Sequence, residues 1–205
     1  MPTAHRSRRL RAATGSVVTA LAVLALAAGP AAAASCPAAP ASKPFMPWVD
    51  PADYVLAPGG NLEAPGDWTL SGGAAVVDGN EPFQVGAPSD DSSLHVPAGG
   101  SAATAPMCVG LEHPTLRLFA KRESGSLLGT LKVEALFTGA AGDVHAWPMG
   151  SVVSYGSWAP TLPLPIVVNS LALVQSTPQV AFRFTPQGGS RWSIDDVYVD
   201  PYRTN

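Results

Sequence analysis

Trp192-Ser193-Ile194-Asp195-Asp196-Val197-Tyr198-Val199, near the end of the chain, can place both of its apolar pairs in one core only by breaking the alternation of a β-strand. Successive strand side chains point to opposite faces. Trp192 and Ile194 share one parity, and Val197 and Val199 share the other. A β-bulge at Asp195-Asp196 supplies the required slip, because one extra residue reverses the facing of everything after it. It also turns a carboxylate inward, where an unpaired charge is costly. A bound cation would remove that cost.

Other segments alternate without interruption. Leu116, Leu118 and Ala120 interleave with Arg117, Phe119 and Lys121. Leu131, Val133, Ala135 and Phe137 interleave with Lys132, Glu134 and Leu136, and Val180, Phe182 and Phe184 with Ala181 and Arg183. Period two with one apolar side predicts half-buried antiparallel strands. The breaks read as hairpin turns: Pro97-Ala98-Gly99-Gly100, Glu123-Ser124-Gly125-Ser126 and Pro186-Gln187-Gly188-Gly189. Glycine supplies the positive φ such turns use. Further strands are expected over residues 68–70, 74–77, 144–147, 152–155 and 166–174. Nine to eleven short strands and almost no helical pattern predict an all-β, antiparallel two-sheet sandwich of the jelly-roll kind.

The N-terminus has a different character. Arg6, Arg8, Arg9 and Arg11 precede an apolar run over about 17 residues, and Ala31-Ala32-Ala33-Ala34-Ser35 offers small residues for signal-peptidase cleavage. Residues 1–34 are therefore expected to be a signal peptide, followed by a Pro/Ala-rich segment over 35–57 and a single β-sandwich domain over 58–205. The apolar run is at the short end of what spans a bilayer, so no membrane span is expected. All fifteen acidic residues and eight of the twelve basic ones follow residue 34, a net charge of −7 with histidine neutral. An acidic surface of this kind disfavours nucleic acid as a partner.

The chain has two cysteines, Cys36 and Cys108. In an oxidising compartment they are expected to pair, closing a loop of about 70 residues worth about 4 kcal/mol in the chain-entropy model. The alternative is a lipid anchor at Cys36, which follows a poor lipobox, Ala33-Ala34-Ser35.

Two stretches, Pro58-Gly59-Gly60-Asn61-Leu62-Glu63 with Trp68-Thr69-Leu70-Ser71-Gly72-Gly73-Ala74, and the Trp192–Val199 segment, resemble the opening and closing strands of carbohydrate-binding modules with the galactose-binding-like jelly-roll fold. Leu62 stands where those modules usually have Phe, and Gly59-Gly60 precedes the Asn-Leu-Glu segment. The middle of the chain offers no matching motif. The resemblance implies a structural Ca²⁺ between first and last strands, with Glu63 and one of Asp195 or Asp196 at the matching positions and carbonyls near Asp78-Gly79-Asn80 completing the shell. Hard oxygen donors suit that ion. The simpler alternative is that these carboxylates only cap turns.

Catalytic signatures are absent: there is no Gly-x-Ser-x-Gly, His-Glu-x-x-His, phosphate loop or Cys-x-x-Cys. His95, His113 and His145 are isolated and read as surface or turn residues. Asp90-Asp91 and Asp195-Asp196 are sequence neighbours and do not provide the spacing across a sugar that a glycosidase uses. Asp90-Asp91-Ser92-Ser93 reads as a loop or metal-free turn. Sugar binding to β-sandwich modules uses exposed aromatic rings with polar groups around them. Tyr155 and Trp158 in a Gly- and Pro-rich stretch, and Trp147, are the candidates; Trp68 and Trp192 are expected in the core. The expectation is a secreted, non-catalytic protein that binds glycan. The alternatives are a structural or adhesive surface protein, which the lack of an accompanying catalytic domain favours somewhat, and an unrecognised hydrolase. Its oligomeric state is open.

Overall fold

The computed structural model describes Met1 and residues 36–154, 156–175 and 178–201; the expected signal peptide, apart from Met1, lies outside them. Fourteen strands follow one another: β1 (Ala41–Ser42), β2 (Tyr54–Leu56), β3 (Thr69–Ser71), β4 (Ala75–Asp78), β5 (Ser92–Val96), β6 (Ser101–Ala103), β7 (Met107–Cys108), β8 (Thr115–Ser124), β9 (Leu131–Thr138), β10 (Val144–Val152), β11 (Ala159–Pro160), β12 (Leu164–Pro165), β13 (Gln179–Pro186) and β14 (Arg191–Val199). They form two antiparallel sheets. In the first, β14 is central, with β5 and β2 along one edge and β8 along the other; β4 extends β5, β1 extends β2, and β11 and β12 extend β8. The second runs β10-β9-β13-β6-β3, with β7 also on β13.

The predicted bulge is present. Asp195 faces Phe119 and Tyr198 faces Arg117, three steps on β14 against two on β8. Asp196 takes the extra position with φ of 51°. The slip brings Trp192, Ile194, Val197 and Val199 all into the main core. The opening and closing segments meet at this point. Val197 N–H donates to the Gly60 carbonyl at 3.0 Å, and Ala57 N–H donates to the Val197 carbonyl at 2.8 Å. A Cβ on Gly60 would fall 2.6 Å from the Val197 oxygen, so only glycine permits this approach. Leu62 is fully buried, and Trp68 stacks with Phe184 at 6.2 Å.

Two expected strands are not formed. Residues 166–174 contain a 3-10 helix, Val167–Leu173, in which Val168 and Ala172 are buried while Ser170 between them is exposed, so burial does not alternate as in a strand. Residues 152–155 add no strand of their own, because β10 continues through a bulge at Pro148/Gly150 and ends at Val152.

The segment read as irregular holds β1, a 3-10 turn at Met46–Trp48 and β2. It is a strap over the outer face of the first sheet. Leu118 and Ala120 point to the main core, whereas Phe119 points outward into a second cluster with Phe45, Tyr54 and Tyr198. Phe45 stacks on Phe119 at 5.4 Å and meets Tyr54 edge-on at 4.8 Å. The Arg117 guanidinium lies 4.1 Å from the Phe45 ring centroid and pairs with Asp50. At the start of the strap Cys36 is disulfide-bonded to Cys108, Cα to Cα 5.6 Å. A sulfur so bonded has no bond left for the thioether of a lipid anchor.

Candidate functional site

The bulge and the β4–β5 loop, residues 79–91, enclose a group of carboxylates. Asp195 is 0% exposed; its Oδ2 accepts the Glu81 N–H at 3.1 Å and its Oδ1 the Asp196 N–H at 2.8 Å. Glu81, 1% exposed, accepts the N–H groups of Phe83 and Val85. Glu63 is exposed and accepts the N–H groups of Asp91 and Ser92 at 2.9 and 2.8 Å. Asp90 Oδ2 accepts the Ala87 N–H at 2.9 Å. These four carboxylates all accept backbone N–H groups.

Asp196 differs. It is 1% exposed, and neither carboxylate oxygen has a hydrogen-bond partner. The side-chain amide of Asn80 is likewise unpartnered. A methyl placed on Gly86 would fall 2.4 Å from Asp90 Oδ2 and 3.4 Å from Asp196 Oδ1, so these two oxygens line one gap beside Gly86. A cleft of about 300 Å³ reaches Gly86 and Asp90 past Asn61 and Tyr198. Burial, then the neighbouring Asp196, pushes the Asp195 carboxyl up to about 8. Burial, then Glu81, Asp90 and Glu63, pushes Asp196 up to about 7. Oxygen donors with unspent lone pairs and a concentration of negative charge fit a hard divalent cation. Of the three expected ligands, Asp196 is the one free to coordinate. Asp90 and Glu81 joined the group without a sequence signal beyond their charge.

The second feature is aromatic. A groove of about 580 Å³ runs between the strap, with Lys43, Pro44, Pro47 and Trp48, and the 79–91 loop, with Phe83 and Val85. Phe83, 44% exposed, meets Trp48 edge-on at 4.8 Å, and both rings rest on Phe119 at 5.7 and 5.2 Å. Trp158 packs half-buried against the same cluster, with Lys121 Nζ 5.3 Å from its ring centroid. Beyond Lys121, cross-strand neighbours Ser193 and His95 continue a polar row over the sheet.

Trp147 lies elsewhere. It is 49% exposed on β10 in the second sheet, beside a cleft of about 170 Å³ with Phe137 and the 3-10 helix residues Val167 and Leu171. Trp147 and Trp158 therefore do not share a platform, and Tyr155 lies outside the described residues. On the outer face of the second sheet, Glu134 accepts two bonds from Arg183 and pairs with Lys132. Among the described residues the outward positions of β3, β6, β9 and β13 hold no aromatic ring.

Ser193, Glu123 and His95 form a hydrogen-bonded chain, but the carboxylate sits in the middle. Ser193 Oγ donates to Glu123 Oε1 at 2.6 Å, and His95 Nδ1 meets Oε2 at 2.9 Å. The hydroxyl thus faces an acid rather than an imidazole base, which is not the order of a nucleophilic triad. His113, read as a surface or turn residue, closes a turn, its N–H donating to the Gly110 carbonyl at 2.9 Å, but its ring is buried and Nδ1 accepts the Gly110 N–H at 3.1 Å. It neighbours Cys36 and Glu112, but the Cys36 sulfur is committed to the disulfide and Glu112 accepts the Cys36 N–H.

No family model and no curated protein matches the chain. Among solved structures, the CBM22-1 xylan-binding domain of Paenibacillus barcinonensis Xyn10C matches with a TM-score of 0.51 at 15% identity, over 75% of this chain and 97% of that domain. The fold is that of a carbohydrate-binding-module-like β-sandwich. The N-terminal CBM22-1–CBM22-2 tandem of the same protein gives a TM-score of 0.51 at 14% identity, over 75% of this chain and 46% of the tandem. At such identity the likeness to these modules is one of fold. No helix among the described residues is long and apolar enough to cross a membrane.

Proposed function

We propose that the protein is an exported, non-catalytic carbohydrate-binding module whose glycan site is the outer face of the first sheet. The observation behind this reading is the set of partly exposed rings, Trp48, Phe83 and Trp158, around the buried Phe119, with Lys121 and His95 beside them. Flat rings at a groove stack on the apolar faces of pyranose rings, while the neighbouring polar groups bond hydroxyls. Ca²⁺ would be held by Asp196 and Asp90, whose oxygens line the gap beside Gly86, and would stabilise the sandwich, with Glu63, Glu81 and Asp195 holding the surrounding backbone. When bound, the ion neutralises the buried carboxylates; the side chains above it do the binding. Export supplies both the oxidising environment for the disulfide and extracellular Ca²⁺.

A polysaccharide array probed with the full secreted chain tests the function. Xylan comes first, because a xylan-binding domain has this fold. Binding to at least one polysaccharide, weakened at least tenfold by Trp158→Ala in a variant that still melts cooperatively, is expected. A folded protein that retains none of them removes the proposal.

A further inference from the structure

The groove and the carboxylates are the two sides of one loop. Residues 79–91 present Phe83 and Val85 outward as one wall of the groove. The same loop buries Glu81 and brings Asp90 Oδ2 to the gap beside Gly86 that Asp196 Oδ1 also lines. The link between the two sides is short. Glu81 accepts the N–H of Phe83 and, at 2.7 Å, that of Val85, so the position of its carboxylate sets the backbone bearing both wall residues. Glu81 is tied in turn to the bulge, its N–H donating to Asp195 at 3.1 Å.

That anchor is electrostatically poor on its own. Five carboxylates surround the bulge, no cationic side chain pairs with any of them among the described residues, and Asp196 is buried with both oxygens unspent. Without a countercharge, nothing charged holds Asp90 and Glu81, and with them the loop, against the bulge. Gln84 at the loop tip holds φ of 51°, a conformation uncommon outside glycine that the surrounding contacts must maintain.

We infer that a divalent cation seated between Asp90 and Asp196 locks the 79–91 loop and so sets the Phe83–Trp48 groove, making glycan binding cation-dependent although the ion touches no sugar. The second wall needs no ion: the strap is held by the disulfide, by Phe45 and by the Asp50–Arg117 pair. Only the loop wall responds. The glycan part of this inference rests on the function proposed above; the cation–loop part does not.

Calorimetric titration of CaCl₂ into the chelator-treated full chain, with hydrogen exchange of the peptides spanning residues 79–91 and 43–49, tests it. One Ca²⁺ per chain is expected, with at least tenfold slower exchange in residues 79–91 and little change in 43–49. Asp196→Asn and, separately, Gly86→Ala should weaken Ca²⁺ at least tenfold and abolish the slowing. Circular dichroism melts show whether each variant is folded, and the second variant leaves every carboxylate in place. Phe83→Ala should keep both Ca²⁺ and the slowing but lose polysaccharide at least tenfold. Absence of Ca²⁺ binding, or binding without slowing in 79–91, overturns the inference. Polysaccharide binding equal with and without chelator, or unaffected by Phe83→Ala, overturns its glycan part. If Ca²⁺ slows the loop but no polysaccharide binds, the proposed function fails while the cation–loop coupling stands.

Discussion

Phe45→Ala measures how firmly the strap is part of the sandwich. Phe45 is 0% exposed, touches Phe119, Tyr54 and Tyr198, and lies under the Arg117 guanidinium. Removing a buried phenylalanine costs about 3–5 kcal/mol from lost transfer and the cavity left behind. The cation–π contact with Arg117 adds about 0.5–2 kcal/mol. In a domain of this size each kcal/mol shifts the melting midpoint by about 2–4 °C, so a fall of roughly 7–28 °C is expected if the strap unfolds with the sandwich. If the strap opens alone, the main transition moves less, and the loss appears as faster chymotryptic cleavage after Trp48 under native conditions. Met46→Ala, on the exposed side of the same turn, should change stability by no more than about 0.5 kcal/mol. A midpoint within about 2 °C of wild type, with no faster cleavage after Trp48, would refute the packed strap.

Acid should release the strap in a defined window. Burial raises the Asp50 pKa, but hydrogen bonds from Tyr54, Ala52 and Arg117 outweigh it and leave the carboxyl below its ordinary value. Its contribution is therefore complete above about pH 3.9 and is lost as pH falls through the lower folded-state value. Chemical denaturation of wild type and Asp50→Asn should differ at pH 6 and converge below that window; a difference that grows on acidification would contradict the assignment. Gly60→Ala drives a Cβ to 2.6 Å from the Val197 carbonyl and 2.9 Å from that of Ala57, both backbone atoms that cannot yield cheaply. A loss of about 1–3 kcal/mol in urea unfolding is expected, and a change under about 0.5 kcal/mol would mean the two segments do not close there. Trp147→Ala should leave polysaccharide binding within twofold of wild type, since that ring is on the other sheet; a tenfold loss in an affinity gel would move the site.

The bulge was legible in the sequence because strand side chains alternate strictly. With Trp192 and Ile194 on one parity and Val197 and Val199 on the other, a single slip at Asp195-Asp196 reconciles them with one core. The Cys36–Cys108 bond was legible because only two cysteines exist to pair, and the strands of the two sheets because each half-buried strand shows its own apolar side. What tertiary structure alone decided involves residues with no periodicity. The strap is rich in proline and alanine, and nothing local says that Phe45 will meet Phe119 across the face of a sheet. Val167–Leu173 is as apolar as a strand, and only the core it faces selects a helical turn that buries Val168 and Ala172 and leaves Ser170 exposed. Asp90 and Glu81 are ordinary loop acids until the loop folds back on the bulge, and Trp147 and Trp158 look like partners until the chain assigns them to different sheets. Local pattern records the period of the backbone and the side that must be dry; it does not record which distant segment will cover that side, because that choice is made by packing between surfaces far apart in the chain.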